Sequence, residues 1–220
     1  MKSPDSDTNE RLHGLTVLAD DDPRWKWDPV EQARAACAGG AAAIQLRTKH
    51  ATDLEVLDWS AEIRKLTRAC AALFFVNDRF DLALAADADG VHLGQEDLPP
   101  GRVPPEIRQR LLIGRSTHTL EEARGAAEEP VDYVAFGPVF GTDSKQSPWA
   151  ARGPSLLAEV VRAVAPKPVI AIGGIGADNA REVAGAGAAG AAVISAVAAQ
   201  DDPERAARAL VDALRGGATA

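Results

Sequence analysis

Two acids stand just past two short apolar runs. Leu73–Val76 leads into Asn77-Asp78, and Gly90–Leu93 leads into Gly94-Gln95-Glu96-Asp97. Carboxylates ending adjacent strands could share one hard cation, because Mg²⁺ commonly takes one or two carboxylates together with waters and substrate phosphates. Asp97 has a second reading as a turn cap before Pro99-Pro100, and spacing alone does not separate the two. Arg47, Lys49 and Lys145 form a cationic group. Period-two alternation sends Arg47 and Lys49 to one side, where Arg grips a phosphate bidentately and Lys supplies a point charge. The competing reading is ordinary salt bridging, which contributes little at a surface. Gly173-Gly174 and Ile194-Ser195 form a third group. Without Cβ atoms, backbone N–H groups can approach an anion, although a glycine pair also makes a tight turn. His118 suits either a general base or a loop-orienting role, while His13, His50 and His92 have no evident partner.

These groups need a frame that brings them to one place. Eight short apolar runs, each of strand length, alternate with helical stretches. The strands are Leu15–Asp20, Ala42–Leu46, Leu73–Val76, Gly90–Leu93, Leu112–Ser116, Val131–Phe136, Pro168–Ile172 and Ala191–Ile194. Helices are expected over Pro29–Ala38, Ala51–Ala71, Phe80–Ala88, Glu106–Leu111, a Thr119-capped stretch, Pro154–Ala165, Asp178–Gly185 and Pro203–Leu214. Proline opening a helix and Gly39-Gly40 closing one fit helix-end chemistry. Strict alternation demands parallel strands with right-handed crossovers, and eight units close into a (β/α)₈ TIM barrel of α/β class. An open doubly wound sheet would want a Gly-x-Gly-x-x-Gly turn after the first strand, and Asp20–Trp27 has none. In such a barrel the site lies at the carboxyl ends of the strands, where all the groups above fall. Arg115 should point away from Ser116 by alternation, and Trp25, Trp27 and Trp59 read as packing anchors.

The 220 residues suit one barrel domain over 12–215, with a mobile tail over 1–11 and a frayed end over 216–220. Apolar content of 46% is enough for a full core. A net charge of −8 without a basic tract argues against nucleic-acid partners but not against small anions, since a local basic cluster outweighs acids beyond a Debye length of about 8 Å. Cys37 and Cys70 lack metal-ligand spacing and read as reduced structural thiols. Neither a signal-like apolar segment nor a membrane-length run is found, so no membrane partner and a cytoplasmic location are expected.

The motifs, taken in order, resemble the thiamine phosphate synthase family, also called thiamine phosphate pyrophosphorylase. The matching stretches are Gln45–Lys49, Asn77–Arg79, Asp89–Pro99, Gly114–His118, Gly137–Phe140, Thr142–Lys145, Ala171–Ile175 and Val193–Ala196, of which Gly94–Pro99 is the most diagnostic. The resemblance implies a TIM barrel that condenses hydroxymethylpyrimidine diphosphate with hydroxyethylthiazole phosphate and requires Mg²⁺. Carried over by motif, Asp78 and Asp97 hold the metal. Arg47, Lys49, Asn77, Ser116 and Lys145 hold the diphosphate, and Gln45 holds the pyrimidine. Gly174, Ile194 and Ser195 hold the thiazole phosphate, with Thr142 and Ser144 nearby. Small phosphorylated substrates are then the partners, with homo-oligomerisation left open.

The superfamily also contains thiazole tautomerases, in which the residue matching His118 is the acid/base. Gly141, Ser144 and the stretch 146–153 depart from the synthase pattern and lean towards that side, whereas Asp97 and Gln45 favour the synthase. A catalytically idle binder of thiamine-type phosphates is a third reading. The intact set of Asp78, Asp97 and Lys145 speaks against it.

Overall fold

The computed structural model of the chain describes residues 11–142 and 149–217. Eight parallel strands form a closed barrel in which each pairs with its sequence neighbours and β8 returns to β1. The strands are β1 Gly14–Asp20, β2 Ala43–Arg47, β3 Leu73–Asn77, β4 Gly90–Leu93, β5 Leu112–Thr117, β6 Tyr133–Phe136, β7 Val169–Ile172 and β8 Gly190–Val193. Between and after them, the described residues form helices α1 Pro29–Ala38, α2 Asp53–Cys70, α3 Phe80–Ala85, α4 Pro105–Arg108, α5 Leu120–Glu128, α6 Gly153–Val164, α7 Ala180–Gly185, α8 Ser195–Ala198 and α9 Pro203–Gly217.

Alternation along each strand divides the core in two. Val17, Ile44, Phe74, Val91, Ile113 and Val134 face outward and pack under the helices. Leu18, Ala43, Phe75, Leu112, Tyr133, Ile170 and Ala192 fill the barrel interior. A strand apolar on both faces is what a sheet covered on both sides requires. The helix starts are fixed locally. Asp28 with Glu31 and Thr52 with Glu55 form capping boxes on α1 and α2, and Thr119 Oγ1 accepts the Glu122 N–H at 3.1 Å on α5. On α2, Val56, Ser60, Ile63 and Thr67 recur at helical spacing and form its buried face.

Two differences from the sequence reading concern glycine and a short helix. The last helix runs on to Gly217 instead of ending at Leu214. A Cβ at Gly217 would lie 2.7 Å from Ala184 Cβ, so its absence lets the final turn settle against α7. Ser195 does not merely end a strand: it opens α8, a four-residue helix too short to show a periodic pattern. Of the tail expected over 1–11, residues 1–10 lie outside the described residues, as do residues 218–220 of the expected frayed end. Cys37 and Cys70 are free thiols, and Cys70 is exposed. No helix among the described residues is long and apolar enough to cross a membrane.

Candidate active site

Because all eight strands run parallel, their carboxyl ends share one rim, and Asp78, Asp97 and Ser195 lie on it together. The β1–β4 half of this rim carries a cluster of paired acids and cations. Asp78 has a left-handed backbone, φ 66°, which aspartate tolerates better than most residues and which marks a tightly determined position. Its carboxylate lies within hydrogen-bonding reach of Asp97, and Lys49 Nζ donates to Asp78 Oδ2 at 2.6 Å. Burial raises the pKa of both acids. At Asp78 the hydrogen bonds from Asp97 and Lys49 outweigh burial and hold it below the ordinary carboxylate range. At Asp97 burial and the neighbouring Asp78 charge act together and push it up. Burial and the like charge thus drive the two facing carboxylates apart in pKa, one down and one up, as happens when two acids occupy one site.

The turn-cap reading of Asp97 is seen directly: its Oδ2 accepts the Gly94 N–H at 2.6 Å, and the carboxylate also faces Asp78. Arg115 holds that turn from behind: it is buried and donates from Nη1 to the Gly94 carbonyl at 2.6 Å. Alternation turns Arg115 away from Ser116, as expected, and its guanidinium instead braces the loop bearing Asp97.

Arg47 and Lys49 reach the rim on the same strand end but pair with different acids. Arg47 donates from Nη1 to Asp20 Oδ2, and Lys49 to Asp78. The reason is positional: Asp20 ends β1 and Asp78 follows β3, flanking β2 on either side. Asp20 is itself buried and also accepts the Trp25 indole N–H at 2.8 Å, so Trp25 is anchored by a hydrogen bond as well as by packing. Asp21 accepts the backbone N–H groups of Lys49, His50 and Ala51 at 2.8–2.9 Å and fixes the loop that presents Lys49. Asn77 is buried at the end of β3.

The β5–β8 half holds a cavity of about 420 Å³ lined by Ser116, His118, Thr142, Gly174, Ile194 and Ser195, among others. Its wall depends on Gly173 and Gly174. Both have positive φ, and a Cβ on Gly174 would lie 2.2 Å from the Gly141 carbonyl oxygen. Those glycines let the loop after β6 lie against the end of β7, with Phe140 N–H donating to the Gly173 carbonyl at 2.9 Å. His118 donates from Nδ1 to the Gly137 carbonyl at 2.7 Å, since a carbonyl only accepts, and its ring stacks on Trp149 at 5.4 Å.

Gln45 points into the barrel, where it lines a small interior void with His92 and Tyr133. His92 does have partners: Tyr133 Oη on one ring nitrogen and Ser116 Oγ on the other. Its inward position, two residues after Gly90 and beside Gly114 on β5, is the signal that would have found it. Ser144 and Lys145 lie outside the described residues.

The fold and rim define a class: a (β/α)₈ barrel with a carboxylate–cation cluster on one half of its carboxyl face and a glycine-walled cavity on the other. A family profile described as Thiamine monophosphate synthase matches residues 15–197. A protein named thiamine-phosphate synthase from Anaeromyxobacter dehalogenans is 50% identical over 210 residues, covering 96% of this chain and 91% of that protein. One of the same name from Chlorobium phaeovibrioides is 46% identical over 203 residues, covering 92% and 95%. The solved structure of thiamine phosphate pyrophosphorylase from Pyrococcus furiosus superposes with a TM-score of 0.85 at 42% identity, covering 96% of this chain and 98% of that one. The chain belongs to the thiamine monophosphate synthase family.

Proposed function

We propose that the chain joins hydroxymethylpyrimidine diphosphate to hydroxyethylthiazole phosphate, releasing pyrophosphate and giving thiamine phosphate. The observation that carries this reading is the facing pair Asp78 and Asp97 beside Lys49, on the same rim as the Ser195 cavity. Two phosphorylated substrates need two anion seats side by side, and only one of them needs a cation for a leaving group.

The reaction breaks the C–O bond between the pyrimidine methylene and the diphosphate, with the electron pair leaving on oxygen. The electron-rich aminopyrimidine carries the resulting positive charge until the thiazole nitrogen lone pair forms the new C–N bond. The protein needs no nucleophile of its own; its part is positioning and charge stabilisation. Lys49, Arg47, Asn77, Ser116 and Lys145 hold the diphosphate, and Gln45 the pyrimidine. Gly174, Ile194 and Ser195 hold the thiazole phosphate, with Thr142 and Ser144 beside it. The donor set of two carboxylates suits Mg²⁺, which when bound by Asp78 and Asp97 neutralises charge on the departing pyrophosphate. We infer a cytoplasmic location, with which the small, water-soluble substrates of this reaction agree.

A second reading rests on His118. With Nδ1 committed to the Gly137 carbonyl, the proton-accepting nitrogen of its neutral ring is Nε2, as a proton-shifting tautomerase would require. One pair of incubations separates the readings: both phosphorylated precursors with Mg²⁺, and the thiazole carboxylate phosphate tautomer alone. Thiamine phosphate in the first supports the synthase. Turnover only in the second supports the tautomerase, and turnover in neither leaves a binder.

A further inference from the structure

Three linked side chains run under the cavity floor. The Tyr133 ring lies inside the barrel in space that only a glycine on β5 leaves open, since a Cβ at Gly114 would fall 2.1 Å from Tyr133 Cζ. Phe75 meets the ring edge-on at 5.7 Å, and His92 stacks on it at the same distance. Held in this way, the Tyr133 hydroxyl lies 2.9 Å from His92 Nδ1, and His92 Nε2 lies 2.8 Å from Ser116 Oγ. Tyr133 and His92 are buried, and Ser116 alone of the three lines the cavity.

We propose that Tyr133 is a positioning residue that fixes the tautomer of His92 and thereby turns the Ser116 hydroxyl proton towards the substrate. A buried O–H must find an acceptor or keep the full desolvation cost of an unmade hydrogen bond. Burial also keeps the phenol protonated, so that proton is always there to be placed. His92 Nδ1 is the acceptor within reach. A ring nitrogen that accepts carries no proton, so the neutral imidazole is protonated on Nε2. Nε2–H then donates to Ser116 Oγ and occupies one of its lone pairs. The serine O–H is left to donate into the cavity. Were the chain reversed, with Nδ1–H donating to Tyr133, the phenol proton would be stranded. Ser116 would then spend its own proton on Nε2 and offer the substrate only lone pairs. No proton is transferred along the chain; its direction alone is set.

The substrate in this inference rests on the synthase reading, whereas the tautomer does not. The test has two arms. In ¹⁵N-histidine-labelled protein, the imidazole resonances of the four histidines are recorded, with His92→Gln assigning the signal of interest. The wild type should show His92 protonated on Nε2 and bare on Nδ1, and Tyr133→Phe, which keeps the ring, should lose that preference. In the second arm, Tyr133→Phe should lower kcat by roughly three- to tenfold, the scale of one net hydrogen bond, with little change in KM for the thiazole phosphate. In a Ser116→Ala background the same change should cost less than about twofold, because Tyr133 acts through Ser116. Protonation on Nδ1 in the wild type, or costs that multiply in the double variant, would overturn the inference. If the wild type makes no thiamine phosphate, the synthase reading fails while the spectrum still decides the tautomer.

Discussion

Asp97 holds its own turn through the Gly94 N–H at 2.6 Å and presses its carboxyl against Asp78. Asparagine can keep the first contact through Oδ1 but removes the second charge. With a raised pKa, Asp97 contributes stability only while protonated. That contribution is present at low pH and is lost as pH rises through the elevated value, after which two carboxylates repel each other. Asp97→Asn is therefore expected to raise the melting temperature of the metal-free protein at neutral pH, and the gain should vanish as pH falls towards the ordinary carboxylate value of about 4. Turnover should fall by roughly a hundredfold or more, the scale of one lost preorganised charge contact. Thermal melts at several pH values check the first outcome, and a precursor assay with Mg²⁺ checks the second. A melting temperature equal to or below wild type at neutral pH would show that the pair is not strained by its own charge. Residue types and spacing were enough to single out this pair of acids. The pairing of Arg47 with Asp20 was not legible in the same way, because a strand-end position fixes which rim a side chain reaches but not which neighbour it meets there.

At the scale of elements, the loop after β6 and the end of β7 act as one wall. Gly174 combines φ 63° with a Cβ position 2.8 Å from Phe140 Cβ and closer still to the Gly141 carbonyl. Gly174→Ala is expected to cost about 1–3 kcal/mol of backbone strain, and displacement of the loop adds to that. At roughly 2–4 °C per kcal/mol for a domain of this size, calorimetry should show a drop of several degrees. KM for the thiazole phosphate should rise well before KM for the diphosphate substrate, since the proposed diphosphate site centres on Arg47 and Lys49, away from this wall. Asp28→Ala provides the contrast. It removes the capping box of α1, whose Oδ1 accepts the Glu31 N–H at 2.8 Å, and should cost about 1 kcal/mol with both KM values unchanged. Equal KM effects in the Gly174 variant would mean that the wall does not belong to one substrate. The strands and long helices were readable from apolar runs and caps. Helix α8 was not, because four residues carry no period, and the meeting of Gly141 with Gly174 is a contact between distant stretches of chain that no local pattern encodes.

At the scale of the whole molecule, the two proposed anion seats differ in the charged groups around them. Eight βα repeats were enough to imply a closed barrel, and closure is what turns a list of strand ends into one rim. On the β1–β4 side, Arg47 pairs with Asp20 and Lys49 with Asp78, which Asp97 also faces, so both of these cations are already engaged by carboxylates. Pyrophosphate approaching this cluster meets cations already engaged by carboxylates, and a divalent ion changes the balance by two. The cavity at β7 and β8 has no such cation–carboxylate cluster among the described residues, and under the proposed function its phosphate would be held by the Gly174 and Ser195 region. Titration calorimetry should accordingly find pyrophosphate binding at least about tenfold tighter with Mg²⁺ than without, a difference of roughly 1.4 kcal/mol. Thiazole phosphate binding should change by less than about twofold. In Asp78→Asn the Mg²⁺ gain for pyrophosphate should disappear while the thiazole phosphate affinity stays the same, which also controls for Mg²⁺ binding pyrophosphate in solution. Equal dependence of both ligands on the metal would mean that the two halves of the rim are one electrostatic unit, and the division of labour between them would have to be abandoned.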